Sequence, residues 1–177
     1  MKKIISVILL IAILCSGCIA LAACGGDDDK ENDSGKDGGA NGGSASVFYI
    51  EYKGVKIELG KPAEGIIEKL GAPSDKKEIG DCGGLGAQVK YSYPSIVIYT
   101  LKTDDGETVD QIDILDDLVT TAKGIYIGSA SADVEKKHGA PNKSTDTSIQ
   151  YISGNKYLKF GIENGEVKSI SLLRVTG

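Results

Sequence analysis

The sequence predicts an α+β domain built as a tandem repeat, in which each copy is a helix followed by an antiparallel β-meander and the helices pack on one face of the sheet. Three observations lead to this prediction. A helical segment recurs within the chain, strand-like segments of period two follow each copy, and a hairpin turn joins the last two strands of each copy. The globular part is expected from residue 47 to residue 177, with copies at about 47–118 and 119–177.

The chain starts with the pattern of a bacterial lipoprotein signal peptide, expected over residues 1–23. Lys2 and Lys3 form a positive start, residues 4–21 are uncharged and largely apolar, and Leu21-Ala22-Ala23-Cys24 resembles a lipobox. The resemblance implies cleavage after residue 23 and a lipid on Cys24 that anchors the protein at the outer face of a membrane, expected to be the Gram-positive cell surface. The alternative is a transmembrane helix, for which this stretch is barely long enough.

Residues 24–46 are expected to form a disordered tether after the lipidated cysteine. They contain Gly, Asp, Ser, Asn, Lys, Glu and Ala, and no aliphatic side chain larger than that of alanine. Such a composition cannot bury a core. A flexible chain of this length has a root-mean-square span of roughly 25 Å, which would hold the domain clear of the lipid headgroups.

The repeated segment predicts one helix in each copy. Residues 60–73 read GKPAEGIIEKLGAP and residues 128–141 read GSASADVEKKHGAP, with the same Gly-Ala-Pro ending. Short strands at residues 55–59 and 125–127 lead into the helices. In the first helix, Ala63, Ile66, Ile67 and Leu70 form one apolar stripe. A glycine followed by proline two residues later is typical of a helix end, so both helices are expected to stop there.

Three strands are predicted after each helix, because β-branched and aromatic residues alternate with polar ones. They lie at residues 89–93, 96–101 and 109–115, and again at 149–152, 156–163 and 167–175. Asp105-Gly106 and Asn164-Gly165 predict the two hairpin turns. The first copy carries about nine extra residues, placed near the glycine-rich segment 79–86. The helices are expected to cover one face of the sheet and to leave the other available.

A family resemblance follows from these segments and covers nearly all of residues 55–173. The duplicated helix and meander in a lipidated chain resemble the β-lactamase inhibitor protein (BLIP) fold and the BamE (SmpA/OmlA) envelope lipoproteins, and are similar to uncharacterised Gram-positive lipoproteins. In that family the exposed sheet face binds proteins. The resemblance therefore implies a non-catalytic protein-binding module with an envelope or extracellular protein as partner. Inhibition of a β-lactamase is a weaker option, since no inhibitory loop matches residue by residue.

Tyrosines are the best candidates for the binding surface. The chain has eight tyrosines and no tryptophan, and tyrosine offers a large contact area at low entropy cost. Tyr91 and Tyr93 share one face of a strand, and Tyr157 alternates with Leu158, so these three tyrosines are the predicted partner-binding residues. The alternative is that Tyr91, Tyr93 and Tyr99 fill the space under the helices.

The sequence offers little for catalysis, for a cofactor or for nucleic acid. The formal net charge is −5 and there is no basic stripe, which argues against nucleic-acid binding. His138 is expected to be structural or to cap its helix, and the globular part has one cysteine, Cys82, so neither a zinc site nor a catalytic triad is supported. We predict no enzyme, metal or cofactor. Two alternatives stay open: a small-ligand-binding or sensor domain, and an enzyme with Cys82 as nucleophile and His138 as base.

Overall fold

The structure is a computed structural model that describes residues 47–81 and 86–175. The first half contains β1 (Tyr49–Tyr52), β2 (Val55–Glu58), α1 (Glu64–Leu70), β3 (Asp75–Asp81), β4 (Ala87–Ser92), β5 (Ile96–Thr103) and β6 (Gly106–Ile114). The second half contains α2 (Ser131–His138), β7 (Lys143–Thr145), β8 (Ser148–Ser153), β9 (Lys156–Glu163) and β10 (Glu166–Arg174). The predicted signal peptide, Cys24, the tether and Cys82 lie outside the described ranges.

Eight of these strands form one antiparallel sheet in the order β3-β4-β5-β6-β10-β9-β8-β7. Its two halves meet where β6 pairs with β10, with Ile112 opposite Leu172. Strands β1 and β2 form a separate two-stranded sheet in which Ile50 lies opposite Ile57. The large sheet is therefore the scaffold on which every other described element packs.

The predicted fold class is wrong. Strands hold 53% of the described residues and the two helices 12%, so the domain is mostly antiparallel β-sheet and not an α+β tandem repeat of a helix plus a meander. The helices are only seven and eight residues long, too short to form a helical layer. Charged segments such as Asp75–Asp81 add strands that lack an alternating pattern. No helix in the described ranges is long and apolar enough to cross a membrane.

The core lies between one face of the large sheet and the elements that cover it. Alternate strand residues such as Ile98, Ile112 and Leu172 are fully buried. They share one cluster with Leu70 of α1, Val134 of α2 and residues of the β1–β2 hairpin. Each buried side chain of this size contributes about 1.5–3 kcal/mol relative to an exposed one. Both helices and the small hairpin therefore pack on the same face of the sheet.

Two tyrosines attach the helix ends to the sheet. The Tyr93 hydroxyl, just after β4, donates to the carbonyl oxygen of Gly71 at 3.2 Å. The Tyr151 hydroxyl on β8 donates to the carbonyl oxygen of Gly139 at 2.9 Å. Both glycines end their helices with a positive φ, 77° and 85°, which glycine adopts without a steric penalty. These tyrosines are therefore structural residues.

Candidate functional site

The second face of the eight-stranded sheet is the candidate binding surface, and we call it the open face. Successive side chains of a strand point to opposite faces, so the neighbours of core residues lie here. On β5, Tyr99 lies between Ile98 and Thr100, both 0% exposed. On β9, Tyr157 precedes Leu158, which is also fully buried. Because the described helices and the β1–β2 hairpin pack on the core face, none of them covers this one.

Strand pairing places one continuous row of side chains across the open face. The row, which we call the central row, contains Lys77, Lys90, Tyr99, Gln111, Leu173, Tyr157 and Ile152, each directly opposite the next. Neighbouring strands lie about 4.8 Å apart, so the row is about 29 Å long. Lys77 is exposed and the other six side chains are partly buried by their neighbours.

The central row is apolar and aromatic over β10, β9 and β8 and cationic at the β3–β4 end. Lys77 lies directly opposite Lys90, and like charges in that position destabilise a sheet. Neither lysine is in an ion pair with a described carboxylate. The β3–β4 end therefore suits a negatively charged group, while Leu173, Tyr157 and Ile152 offer apolar contact.

A second row, which we call the polar row, runs beside the central row. It contains Asp75, Ser92, Val97, Asp113, Ser171, Lys159, Gln150 and Lys143. Gln111 of the central row donates from Nε2 to both carboxylate oxygens of Asp113, each at 3.0 Å. Burial, and then the charge of Asp113, raises the pKa of Tyr99, so its hydroxyl stays protonated at neutral pH. Tyr99 therefore adds a hydrogen-bond donor to its contact area.

Of the three predicted partner-binding tyrosines, the structure brings one to the open face. Tyr91 and Tyr93 are 5% and 3% exposed and belong to the core, because their strand points them toward the helices. The Tyr91 hydroxyl donates to Glu107 Oε1 at 2.8 Å. Burial is the main reason that the pKa of each is raised. Their side chains fill the space under the helices, which corrects their assignment to a surface, whereas Tyr157 lies in the central row.

Sequence reasoning missed Tyr99, Leu173 and Gln111 as surface residues. The signal that identifies them is alternation, since Tyr99 follows buried Ile98 and Leu173 follows buried Leu172. Alternation alone does not say which strands are neighbours, so the row appears only once the register is known. Cys24 and Cys82 lie outside the described residues. Within the described ranges, no group of three or more His, Cys, Asp and Glu side chains is arranged to hold a metal ion.

No protein-family model, curated protein or solved structure matches this chain. The resemblance to β-lactamase inhibitor proteins and BamE lipoproteins stays a prediction. The class that the described residues define is a mostly antiparallel β-domain with one face covered by short helices and a hairpin, and the other face uncovered by them.

Proposed function

We propose that this protein is a non-catalytic binding module that is anchored to the outer face of a cell membrane by a lipid on Cys24. Its partner is a protein of the envelope or the surroundings, which docks on the open face of the eight-stranded sheet. The observation that carries the proposal is the central row, in which Tyr99, Leu173, Tyr157 and Ile152 lie on four strands that the fold brings together.

The residue types of the central row are those that support protein binding. Tyrosine is enriched among the few interface residues that carry most of the binding energy, and such residues cluster near the centre of a contact. Tyr99 and Tyr157 are already partly buried by their neighbours, so ordering them on binding costs little additional entropy. These features favour a rigid, preformed contact surface.

The dimensions and charges of the open face narrow the kind of partner. A standard interface covers about 800 Å² on each protein, a patch about 28 Å across, and the central row is of similar length. The Lys77 and Lys90 pair at one end favours a partner with acidic groups beside an apolar centre. We therefore propose a folded protein partner with an acidic rim.

Photo-crosslinking in living cells tests the proposal with the full chain. A photoreactive phenylalanine analogue replaces Tyr157 in one strain. In the control strain it replaces Tyr126, which is 43% exposed in the connection between β6 and α2. We expect an adduct of one defined mass from position 157 and none from position 126. Equal adducts at both positions, or none at position 157 when the protein is present at its normal level, contradict the proposal.

A further inference from the structure

A cavity of about 490 Å³ lies beside the C-terminal end of α2, on the side of the molecule away from the β3–β4 end of the sheet. Its apolar wall is formed by Val47, Phe48, Tyr151 and Ile152, and its polar wall includes Lys123, Lys156, Asn142 and Asn155. No aspartate or glutamate is among its lining residues. The volume is in the range of small-molecule sites, about 300–1,000 Å³.

His138 lines this cavity, and the described part of the chain provides no polar partner for its ring. Its ring centroid lies 5.0 Å from that of Tyr151 and 5.5 Å from that of Phe160. Both ring nitrogens are buried without a hydrogen-bond partner among the described residues. Burial, followed by the charges of Lys123 and Lys137, lowers the pKa of His138 to about 4. At neutral pH the ring is therefore uncharged, with one unsatisfied N–H donor and one unsatisfied acceptor.

The polar neighbours of His138 are already engaged with the backbone. The Tyr151 hydroxyl donates to Gly139, and Lys137 Nζ donates to the carbonyl oxygen of Gly124 at 2.9 Å. Asn142 accepts a hydrogen bond from the Ile152 amide at 2.7 Å through Oδ1, which leaves its amide N–H groups as donors. The imidazole nitrogens are buried, so the donors available to a molecule in the cavity belong to other lining side chains, Lys123 and the Asn142 amide among them.

The two lysines of the cavity differ in their surroundings. Lys156 Nζ lies 3.7 Å from a carboxylate oxygen of Glu58, so part of its charge is already compensated. Lys123 forms no ion pair with a described carboxylate. The lining carries two lysines and the Asn142 amide N–H groups as donors and no carboxylate, while the side chains of Ser153 and Asn155 can donate or accept. A negatively charged acceptor on an apolar body is the chemistry that complements them.

We propose that this cavity binds a small organic anion, an apolar ring or chain that carries one carboxylate. The carboxylate accepts hydrogen bonds from Lys123 and the Asn142 amide, and the uncharged His138 ring lies beside them in the cavity wall. The apolar body packs on Phe48 and the Tyr151 ring. Ile152 lines the cavity and also ends the central row, but Lys123 and Asn142 lie outside both rows, so loss of benzoate binding and loss of the protein adduct are separate outcomes.

The single histidine of the chain provides a specific readout of this site. The full-length protein, labelled with ¹⁵N and held in detergent micelles, is titrated at pH 7 with sodium benzoate while its imidazole ¹⁵N resonances are recorded. Benzamide and benzylamine serve as neutral and cationic probes of the same shape. We expect saturable shifts with benzoate, binding of benzamide weaker by about tenfold, and no saturable shift with benzylamine.

Two lysine variants separate the cavity from general charge effects. Lys123→Gln is expected to weaken benzoate binding about three- to tenfold, because it removes a cation at the cavity. Lys136→Gln removes a charge from an exposed position of α2 that does not line the cavity, and is expected to leave the affinity unchanged. The proposal is overturned if benzoate gives no shift up to about 100 mM, if the three probes bind alike, or if both variants weaken binding equally.

Discussion

His138 shows how packing determines the charge of a side chain. From the sequence it was expected to be structural or to cap α2, where a positive charge would favour the helix C-terminus. The structure agrees with the structural role and not with a charged cap: the ring packs against Tyr151 and Phe160, and its pKa is lowered to about 4. The ring is therefore uncharged at neutral pH. The sequence does not predict this, because both aromatic partners come from strands that follow the helix.

The lowered pKa of His138 predicts that stability depends on pH. The pKa of His138 is about 4 in the folded protein, whereas an unperturbed histidine, as in the unfolded chain, has a pKa of 6.5. As the pH falls, the imidazole of the unfolded chain is therefore protonated first. The free energy of unfolding is therefore unaffected by protonation of His138 above pH 6.5, and it decreases as the pH falls from 6.5 toward 4. We expect a loss of about 1–2 kcal/mol across this window, because solvent screens a partly buried ring.

Urea unfolding of the wild type and of His138→Phe between pH 4 and pH 7 measures this contribution. Phenylalanine keeps the aromatic packing and removes the titrating group, so the pH slope of the variant should be shallower. Carboxylates that titrate in the same range affect both proteins equally and cancel in the difference. Identical slopes would show that His138 titrates normally.

Glu107 is predicted to matter for stability because two side chains depend on one of its carboxylate oxygens. The hydroxyls of Tyr91 and Thr100 both donate to Glu107 Oε1, and Thr100 is fully buried. Glu107→Ala leaves the Tyr91 hydroxyl without this acceptor and leaves the Thr100 hydroxyl only the longer bond to the Val89 carbonyl oxygen, at 3.3 Å. It is expected to lower the free energy of unfolding by about 1–3 kcal/mol in urea titrations.

Glu166 provides the matched control for Glu107, because it also follows a hairpin turn immediately. It is exposed, and its carboxylate contacts Lys168 Nζ at 2.6 Å on the surface. Exposed ion pairs of this kind contribute little, so Glu166→Ala should leave the unfolding transition unchanged. Equal losses in the two variants would mean that the shared hydrogen-bond acceptor is not the cause.

At the scale of elements, the sequence predicts strands well where apolar residues alternate between turns. Predicted strands at 96–101, 156–163 and 167–175 correspond to β5, β9 and β10 with small shifts at their ends. The predicted Asp-Gly turn joins β5 to β6, and the predicted Asn-Gly turn joins β9 to β10; each of these strand pairs is antiparallel. Local turn chemistry and alternation carry this information without knowledge of the rest of the fold.

The sequence does not predict the two edge strands of the large sheet, β3 and β7, because they are stabilised by pairing with β4 and β8 rather than by a pattern of their own. β3 reads DKKEIGD and β7 reads KST, and neither has an apolar face. Charged residues are common on edge strands, where they oppose pairing with other chains. Residues 125–127, predicted as a strand, lie in the connection to α2 instead. These two edges add ten residues of strand, seven in β3 and three in β7, to a domain that is mostly antiparallel β-sheet and has only two short helices.

Gly86, immediately before β4, lies where no larger residue fits without a clash. It has φ of +116°, and a Cβ atom there would clash with the backbone carbonyl oxygen of Lys102 on β5. Gly106 has nearly the same φ, +118°, with nothing within 4 Å of an added Cβ. We expect Gly86→Ala to destabilise the protein by about 1–2 kcal/mol more than Gly106→Ala in urea unfolding. Equal losses would attribute the whole effect to the backbone angle.

At the scale of the whole molecule, the sequence predicts that one sheet face is available but names only Tyr157 among the residues of its central row. Strand order and register bring Lys77 and Ile152, at opposite ends of the central row, onto one surface although they are far apart in the chain. Pairing between distant strands is a tertiary property. For the same reason, the sequence alone assigns Tyr91 to the binding surface, although its side chain points into the core.

The proposed lipid anchor predicts that the protein is labelled by a fatty acid at Cys24. Cys24→Ser removes the thiol that would be acylated, so the protein should no longer incorporate an alkyne-tagged fatty acid in growing cells. Cys18→Ser changes the nearer of the two other cysteines of the leader and should leave labelling intact. Labelling that persists in Cys24→Ser and disappears in Cys18→Ser would move the anchor to residue 18.

The measurement that tests the central claim most directly is the yield of protein adduct from a photoreactive residue at position 99 with and without Leu173→Asp. Leu173 lies next to the middle of the central row, between Gln111 and Tyr157. A charge there should lower the yield at least about tenfold by disrupting the apolar centre of the contact, whereas Tyr126→Asp in the connection before α2 should not change it. A yield that Leu173→Asp leaves unchanged, in a protein that still folds, would contradict docking on the open face.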